Sequence, residues 1–136
     1  NRIGIFGFSL GGAIGIMSAA EDERINAVAS YGAFSDLRSL GYETYFQLSV
    51  FKKPMVLLEL LFARVLFGES LAIVSPKNLA KKLTIPILIT HSTGDEQISF
   101  SHAERLRDVL TENINSIFYV IDDKKHGLWV NGHGNE

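Results

Sequence analysis

Ser9 stands between two glycines in Gly7-Phe8-Ser9-Leu10-Gly11, with Gly12 directly behind. A hydroxyl that attacks a carbonyl must stand clear of its own backbone, and Gly-x-Ser-x-Gly is the spacing that exposes a serine on a tight strand-to-helix turn. Gly7 and Gly11 would give clearance on either side, while Gly12 and Gly15 would let the following helix pack closely on a sheet. That helix would turn its amino end toward the reacting oxygen, leaving the Leu10 N–H to stabilise a tetrahedral oxyanion. A serine hydroxyl needs a base, and the base needs an orienting group. His126, followed by Gly127, is the candidate base, and Asp95, in His91-Ser92-Thr93-Gly94-Asp95, is the candidate acid. Glu96 is the leading substitute for Asp95, and His133 is the replacement base should His126 point away. His91 reads as a hydrogen-bonded structural residue at a strand end, and His102 as lying on an exposed helix start. Asp122 and Asp123 read as solvated turn residues. Phe8, Tyr42 and Trp129 are candidates for contact with substrate, packing being the competing role for the aromatics.

The elements that would carry these groups alternate. Residues 2–7, 25–31, 86–91 and 114–121 form apolar runs of the kind buried in parallel sheets. Between them lie helical patterns at 10–20, 37–50, 55–67 and 101–110, with Asp36 or Ser35 able to cap the second. Ser9, Asp95 and His126 each fall just beyond a strand terminus, the edge at which open parallel sheets gather ligands. The reading is α/β: a parallel sheet of four strands with flanking helices, in one domain spanning 1–136. Tyr42, Tyr45 and Phe46 recur three and four apart and could cover the mouth of a site. Lys52-Lys53-Pro54 interrupts the helical pattern before the most apolar helix of the chain, which Gly68 would stop. Three readings compete for that helix: an element buried in or beneath a cap, a subunit contact, and a membrane-surface anchor. It is too short and too charged to span a bilayer, which needs about 20 apolar residues.

Composition removes other classes. With 46% hydrophobic and 21% charged residues the 136-residue chain can fill one core, and its net charge of −2 supplies no positive field for nucleic acid. The absence of cysteine excludes disulfides, thiol nucleophiles and thiolate metal sites. No signal peptide precedes the first strand, and cytoplasm is the default location.

The chain resembles the carboxyl-terminal half of an α/β-hydrolase of the esterase and prolyl-oligopeptidase-like branch. The resemblance rests on Gly7-Phe8-Ser9-Leu10-Gly11-Gly12, on His91-Ser92-Thr93-Gly94-Asp95-Glu96-Gln97-Ile98, and on His126-Gly127; Phe34-Ser35-Asp36-Leu37 and Val74-Ser75-Pro76 resemble its cap-flanking segments. It implies Ser9 as nucleophile, Asp95 as acid, His126 as base, no metal or organic cofactor, and residues 37–70 as a helical cap-like insertion. It also implies strands ahead of the nucleophile strand, which this sequence does not contain. The strand at 2–7 is then expected to pair with a missing amino-terminal half or with a second copy of the chain.

The function these residues imply is hydrolysis of a carboxylic ester or small amide through an acyl-enzyme, with a small-molecule substrate, no nucleic acid and no membrane partner. The alternative is a catalytically inactive α/β-hydrolase-like half-domain that serves as an assembly or interaction module.

Overall fold

The computed structural model describes residues 2–68, 73–122 and 126–127, with the side chains of 46–48 and 67 left aside. Its elements run β1 (Ile3–Phe8), α1 (Leu10–Glu21), β2 (Ile25–Tyr31), α2 (Leu37–Thr44), a 3₁₀ helix (Phe46–Phe51), α3 (Lys52–Phe67), α4 (Pro76–Ala80), β3 (Ile87–Ser92), α5 (Ser101–Val109) and β4 (Ser116–Ile121). The four strands form one parallel sheet in the order β1-β2-β3-β4. Each parallel neighbour is reached through helical chain, the connection that parallel pairing demands.

The register is what matters for a site. Phe8 pairs with Tyr31, Tyr31 with Thr90 and Thr90 with Tyr119. The carboxyl ends of the strands are therefore nearly level, and the ladder continues past them: Ser9 N donates to Tyr31 O at 2.8 Å, Gly32 N to Thr90 O at 2.9 Å, and Thr93 N to Ile121 O at 2.9 Å. The loops after β1, β3 and β4 leave the same edge.

One face of the sheet carries the core. Val28, Ile87 and Ile89 pack there with Ala13 and Ile16 of α1, Ala80 of α4, and Ala103 and Leu106 of α5, all buried. Each large side chain buried this way contributes about 1.5–3 kcal/mol. The alternate residues fill the opposite face, where Phe6 of β1 and Ile117 and Tyr119 of β4 are exposed. Among the described residues this second face has no helical cover, an unusual state for a parallel sheet.

Several sequence expectations need correction. The helix predicted over 37–50 ends at Thr44, and the chain then kinks within the 3₁₀ helix at Ser49, whose φ is 45°. Lys52-Lys53-Pro54 does not interrupt a helix but opens α3, because the missing N–H of proline is harmless in a first turn. Gly68, with φ 72°, does stop it. Burial of α3 is not what the structure has: among its described side chains Val56 and Ala63 are buried, whereas Leu57, Leu58, Leu61, Phe62, Val65 and Leu66 are exposed. The helix touches α2 through Val56, which lies against Gly41. The fourth strand begins at Ser116 rather than Ile114, whose side chain is in solvent. No described helix is long and apolar enough to cross a membrane.

Candidate active site

Ser9 occupies the turn between β1 and α1 with φ 54° and ψ −120°. A non-glycine residue in that region costs on the order of 1–3 kcal/mol and persists only where its surroundings over-determine it. Those surroundings are specific. A Cβ on Gly7 would stand 2.3 Å from Gly11 O, and one on Gly12 would stand 2.5 Å from Ser30 Oγ, so neither position admits a side chain. Gly11 is different from the expectation: a Cβ there would meet open space, so the clearance comes from Gly7 and Gly12. Gly15 also packs closely, its Cβ position lying 2.9 Å from Ile5 Cγ2. Helical bonding in α1 begins with Gly12 N and Ala13 N, which donate to Ser9 O. The Leu10 amide therefore precedes the helical ladder, among the first-turn donors that have no intrahelical acceptor.

Asp95 follows β3 and is buried. Its Oδ1 accepts from the amides of Gln97 at 2.9 Å and Ile98 at 2.8 Å, which fixes the carboxylate rotamer. Its Oδ2 lies 2.5 Å from His126 Nδ1. The carboxylate accepts, so Nδ1 carries a hydrogen, and the tautomer this selects bears its lone pair on Nε2. The His126 ring is seated on Phe8, with ring centroids 4.8 Å apart, and over Gly32, where a Cβ would come within 3.1 Å of His126 Cε1. Gly127 has φ 76°, and a Cβ there would stand 2.4 Å from Phe8 Cζ, so the turn that delivers the imidazole requires glycine.

The arrangement thus joins Asp95 to His126 and sets His126 against Phe8, which precedes Ser9, and Gly32, which follows the carbonyl that Ser9 N bonds. Phe8 packs on Tyr31 at 5.5 Å as well as on the imidazole, so its ring supports the site from within. Tyr42 is half-buried on α2, and no described contact links it to Ser9, Asp95 or His126. Trp129, His133 and Asp123 lie outside the described residues. Glu96 is exposed, and Asp122 accepts from Thr93 Oγ1 at 3.2 Å.

His102 is the residue that sequence reasoning misplaced. It opens α5 but is fully buried rather than exposed. Ser35 N donates to its Nδ1 at 3.0 Å, Ser35 Oγ lies 2.9 Å from the same nitrogen, and Nε2 faces Glu43 Oε2 at 3.0 Å. Ser101 Oγ and Arg105 also reach Glu43, at 3.4 and 3.3 Å. Burial holds His102 below its ordinary value of 6.5, with Arg105 pressing the same way and Glu43 and Asp36 opposing. Asp36 caps α2 by accepting from Ser39 N at 2.8 Å and pairs with Lys77 at 2.9 Å. Burial pushes the Asp36 carboxyl up, but Lys77 and Ser39 outweigh it and bring it from 3.8 to about 2. This serine, histidine and carboxylate are adjacent, yet Ser35 is fully buried and unreachable by substrate. The sequence signal was Ser35-Asp36 at a helix start, which announced the cap but not its partner on α5.

The model of the prolyl oligopeptidase family (Peptidase_S9) matches residues 1–136. No curated protein sequence matches the chain. Among solved structures it is similar to the esterase domain of a Rhodothermus marinus protein, with 21% identity and a TM-score of 0.64 over 93% of this chain and 51% of that one. It is similar to Pyrococcus horikoshii acylaminoacyl peptidase, with 21% identity and a TM-score of 0.66 over 96% of this chain and 21% of that one. It also resembles Porphyromonas gingivalis dipeptidyl peptidase 4, with 21% identity and a TM-score of 0.67 over 93% of this chain and 17% of that one. The chain spans about half the length of the esterase domain and about a fifth of each peptidase. At this identity the structures establish the α/β-hydrolase fold; with the family model covering it end to end, the chain belongs to the prolyl oligopeptidase family.

Proposed function

We propose that the chain carries the catalytic residues of a serine hydrolase that cleaves a carboxylic ester or small amide through an acyl-enzyme. Ser9 is the nucleophile at a nucleophile elbow, His126 the general base, and Asp95 the group that orients it. The observation that carries the reading is the His126 imidazole, bonded to Asp95 and resting on Gly32 and on Phe8, the residue before a serine held at positive φ.

In this reading His126 Nε2 takes the Ser9 Oγ proton as Oγ adds to the acyl carbon. The carbonyl oxygen becomes an oxyanion opposite the Leu10 amide and the positive end of α1. Asp95 stays ionised and stabilises the imidazolium. His126 then gives the proton to the leaving alcohol or amine, and a water, deprotonated by the same nitrogen, releases the acid and frees Ser9. Phe8, Tyr42 and Trp129 are the proposed contacts with substrate, residues 37–70 the proposed cap, and the cytoplasm the proposed location. The exposed Phe6 and Ile3 of β1 suit pairing with further polypeptide or with a second copy, which the mass in solution distinguishes.

Hydrolysis of p-nitrophenyl acetate tests the assignment. Ser9→Ala and His126→Ala should each remove about 10⁴-fold or more of the rate. A folded Ser9→Ala variant with full activity ends the reading.

A further inference from the structure

His91 is a buried imidazole that the proposed reaction does not use. It is the fifth residue of β3, fully buried, and its ring meets Phe100 edge-on at 6.0 Å. Nε2 lies 2.8 Å from Ile98 O. A carbonyl only accepts, so Nε2 carries the hydrogen and donates it. Burial holds the ring below its ordinary value, which keeps it neutral and leaves Nδ1 a bare lone pair. Nδ1 has no partner among the described residues. Burying an unpaired acceptor is costly, and an apolar side chain of the same size would avoid that cost. What the imidazole supplies in return is the single donor on its far side.

That donor bears directly on the acid. Ile98 gives its N–H to Asp95 Oδ1 at 2.8 Å and takes the His91 hydrogen on its own carbonyl. One residue is thereby held from both ends, by Asp95 on its amide and by the sheet on its oxygen. The turn 95–98 cannot rotate without breaking one of the two bonds. Oδ2, the remaining carboxylate oxygen, is left aimed at His126 Nδ1, with His91 Nε2 also 3.4 Å away. Among the described residues, the charged or titratable groups that act on His91 are Asp95 and His126 themselves.

We infer that His91 is a positioning residue for the proposed reaction: through Ile98 it locks the Asp95 carboxylate in the orientation that fixes the His126 tautomer. The inference rests on the hydrolase reading for its kinetic consequence but not for its structural one. Three variants separate a donor from a filler. His91→Phe keeps an aromatic ring against Phe100 and removes the donor. His91→Gln places an amide nitrogen at about the reach of Nε2, and His91→Asn places one at about the reach of Nδ1.

The test pairs proton NMR of the downfield His126 Nδ1–H signal with the pH profile of p-nitrophenyl acetate hydrolysis. His91→Phe and His91→Asn should lose the downfield signal and about tenfold to a hundredfold in kcat with KM unchanged, as expected for a small misplacement of a reacting group. The acid limb of their profile should depart from the wild-type limb, because the hydrogen bond that orients the reacting imidazole is altered. His91→Gln should restore signal, rate and limb. The inference fails if the wild-type protein shows no such signal. It fails equally if folded His91→Phe keeps signal and profile while only its melting temperature drops, or if His91→Gln behaves no better than His91→Asn, a comparison that stands even where His91→Phe does not fold. A wild-type protein that shows the signal but does not hydrolyse the ester refutes the hydrolase reading and leaves the hold of His91 on the Asp95–His126 pair to be judged by the signal.

Discussion

The histidine–carboxylate pairs His126–Asp95 and His102–Glu43 differ in what lies beside them. His126 and Asp95 meet at the carboxyl edge of the sheet, from which the Ser9 turn also leaves with its backbone at positive φ. His102 and Glu43 meet between α5 and α2 next to Ser35, which is sealed in the interior and whose amide, not only its hydroxyl, is spent on the imidazole. The chemistry of the side chains is the same. Position in the fold is what differs: the first pair lies in the loops beyond the carboxyl ends of β3 and β4, while the second ties α5 to α2. A histidine whose Nδ1 accepts from a backbone amide cannot keep its other nitrogen free as a base, because that nitrogen must carry the hydrogen.

Substitutions in the two regions should therefore part company. After the replacements of Ser9 and His126 themselves, the largest effect is expected from Gly127→Ala, which forces a side chain into the Phe8 ring at a backbone conformation that disfavours it. Displacing His126 by about 1 Å should cost about 10²-fold in ester hydrolysis, with kcat carrying the loss. His102→Phe should do the reverse. It leaves the Ser35 amide without its acceptor and Glu43 with only Ser101 and Arg105, which costs about 1–3 kcal/mol in urea unfolding, while kcat in the folded fraction stays within about twofold. Equal kinetic damage from both variants would erase the distinction drawn between the pairs.

Acidity sharpens the same comparison. His91 and His102 are both held below 6.5 by burial, so the unfolded chain binds protons that the folded chain refuses. Their contribution to stability is fully present above about pH 6.5 and is lost as the pH falls from there toward their depressed values. The urea midpoint should decline on going from about pH 7.5 to 5.5, and His102→Gln should flatten part of that slope. A flat wild-type curve would contradict the burial of both rings. Asp36 acts lower: its carboxyl, brought from 3.8 to about 2, contributes stability above the upper value and loses it as the pH drops to the lower one. The smallest effect is expected from Asp36→Ala, which removes the cap of α2 and should cost about 1 kcal/mol, read in the same unfolding experiment, with no change in KM.

Which parts of this were visible in the sequence follows from how local their causes are. The Ser9 turn was legible because its glycines act within five residues, and the strands because a continuous apolar run has few other homes in an alternating α/β chain. Gly11 was misread for the same reason: spacing names the turn, but only the helix axis tells which glycine faces the strand. His102 was not legible, since its burial depends on Glu43 arriving from α2 and on the Ser35 amide, neither of which leaves a trace around position 102. The apolar run of α3 left its environment undecided, because a one-dimensional pattern does not say whether Leu58 or Val56 turns inward. In the fold it is Val56, pressed on Gly41, and the leucines face out.

The most direct test of the central assignment is to react the folded protein with a fluorophosphonate and locate the adduct by peptide mass spectrometry. The account predicts a single modified serine, Ser9, whose labelling disappears in His126→Ala and persists in His102→Phe. An adduct on Ser35 or Ser101, or Ser9 labelling that survives His126→Ala unchanged, would contradict it.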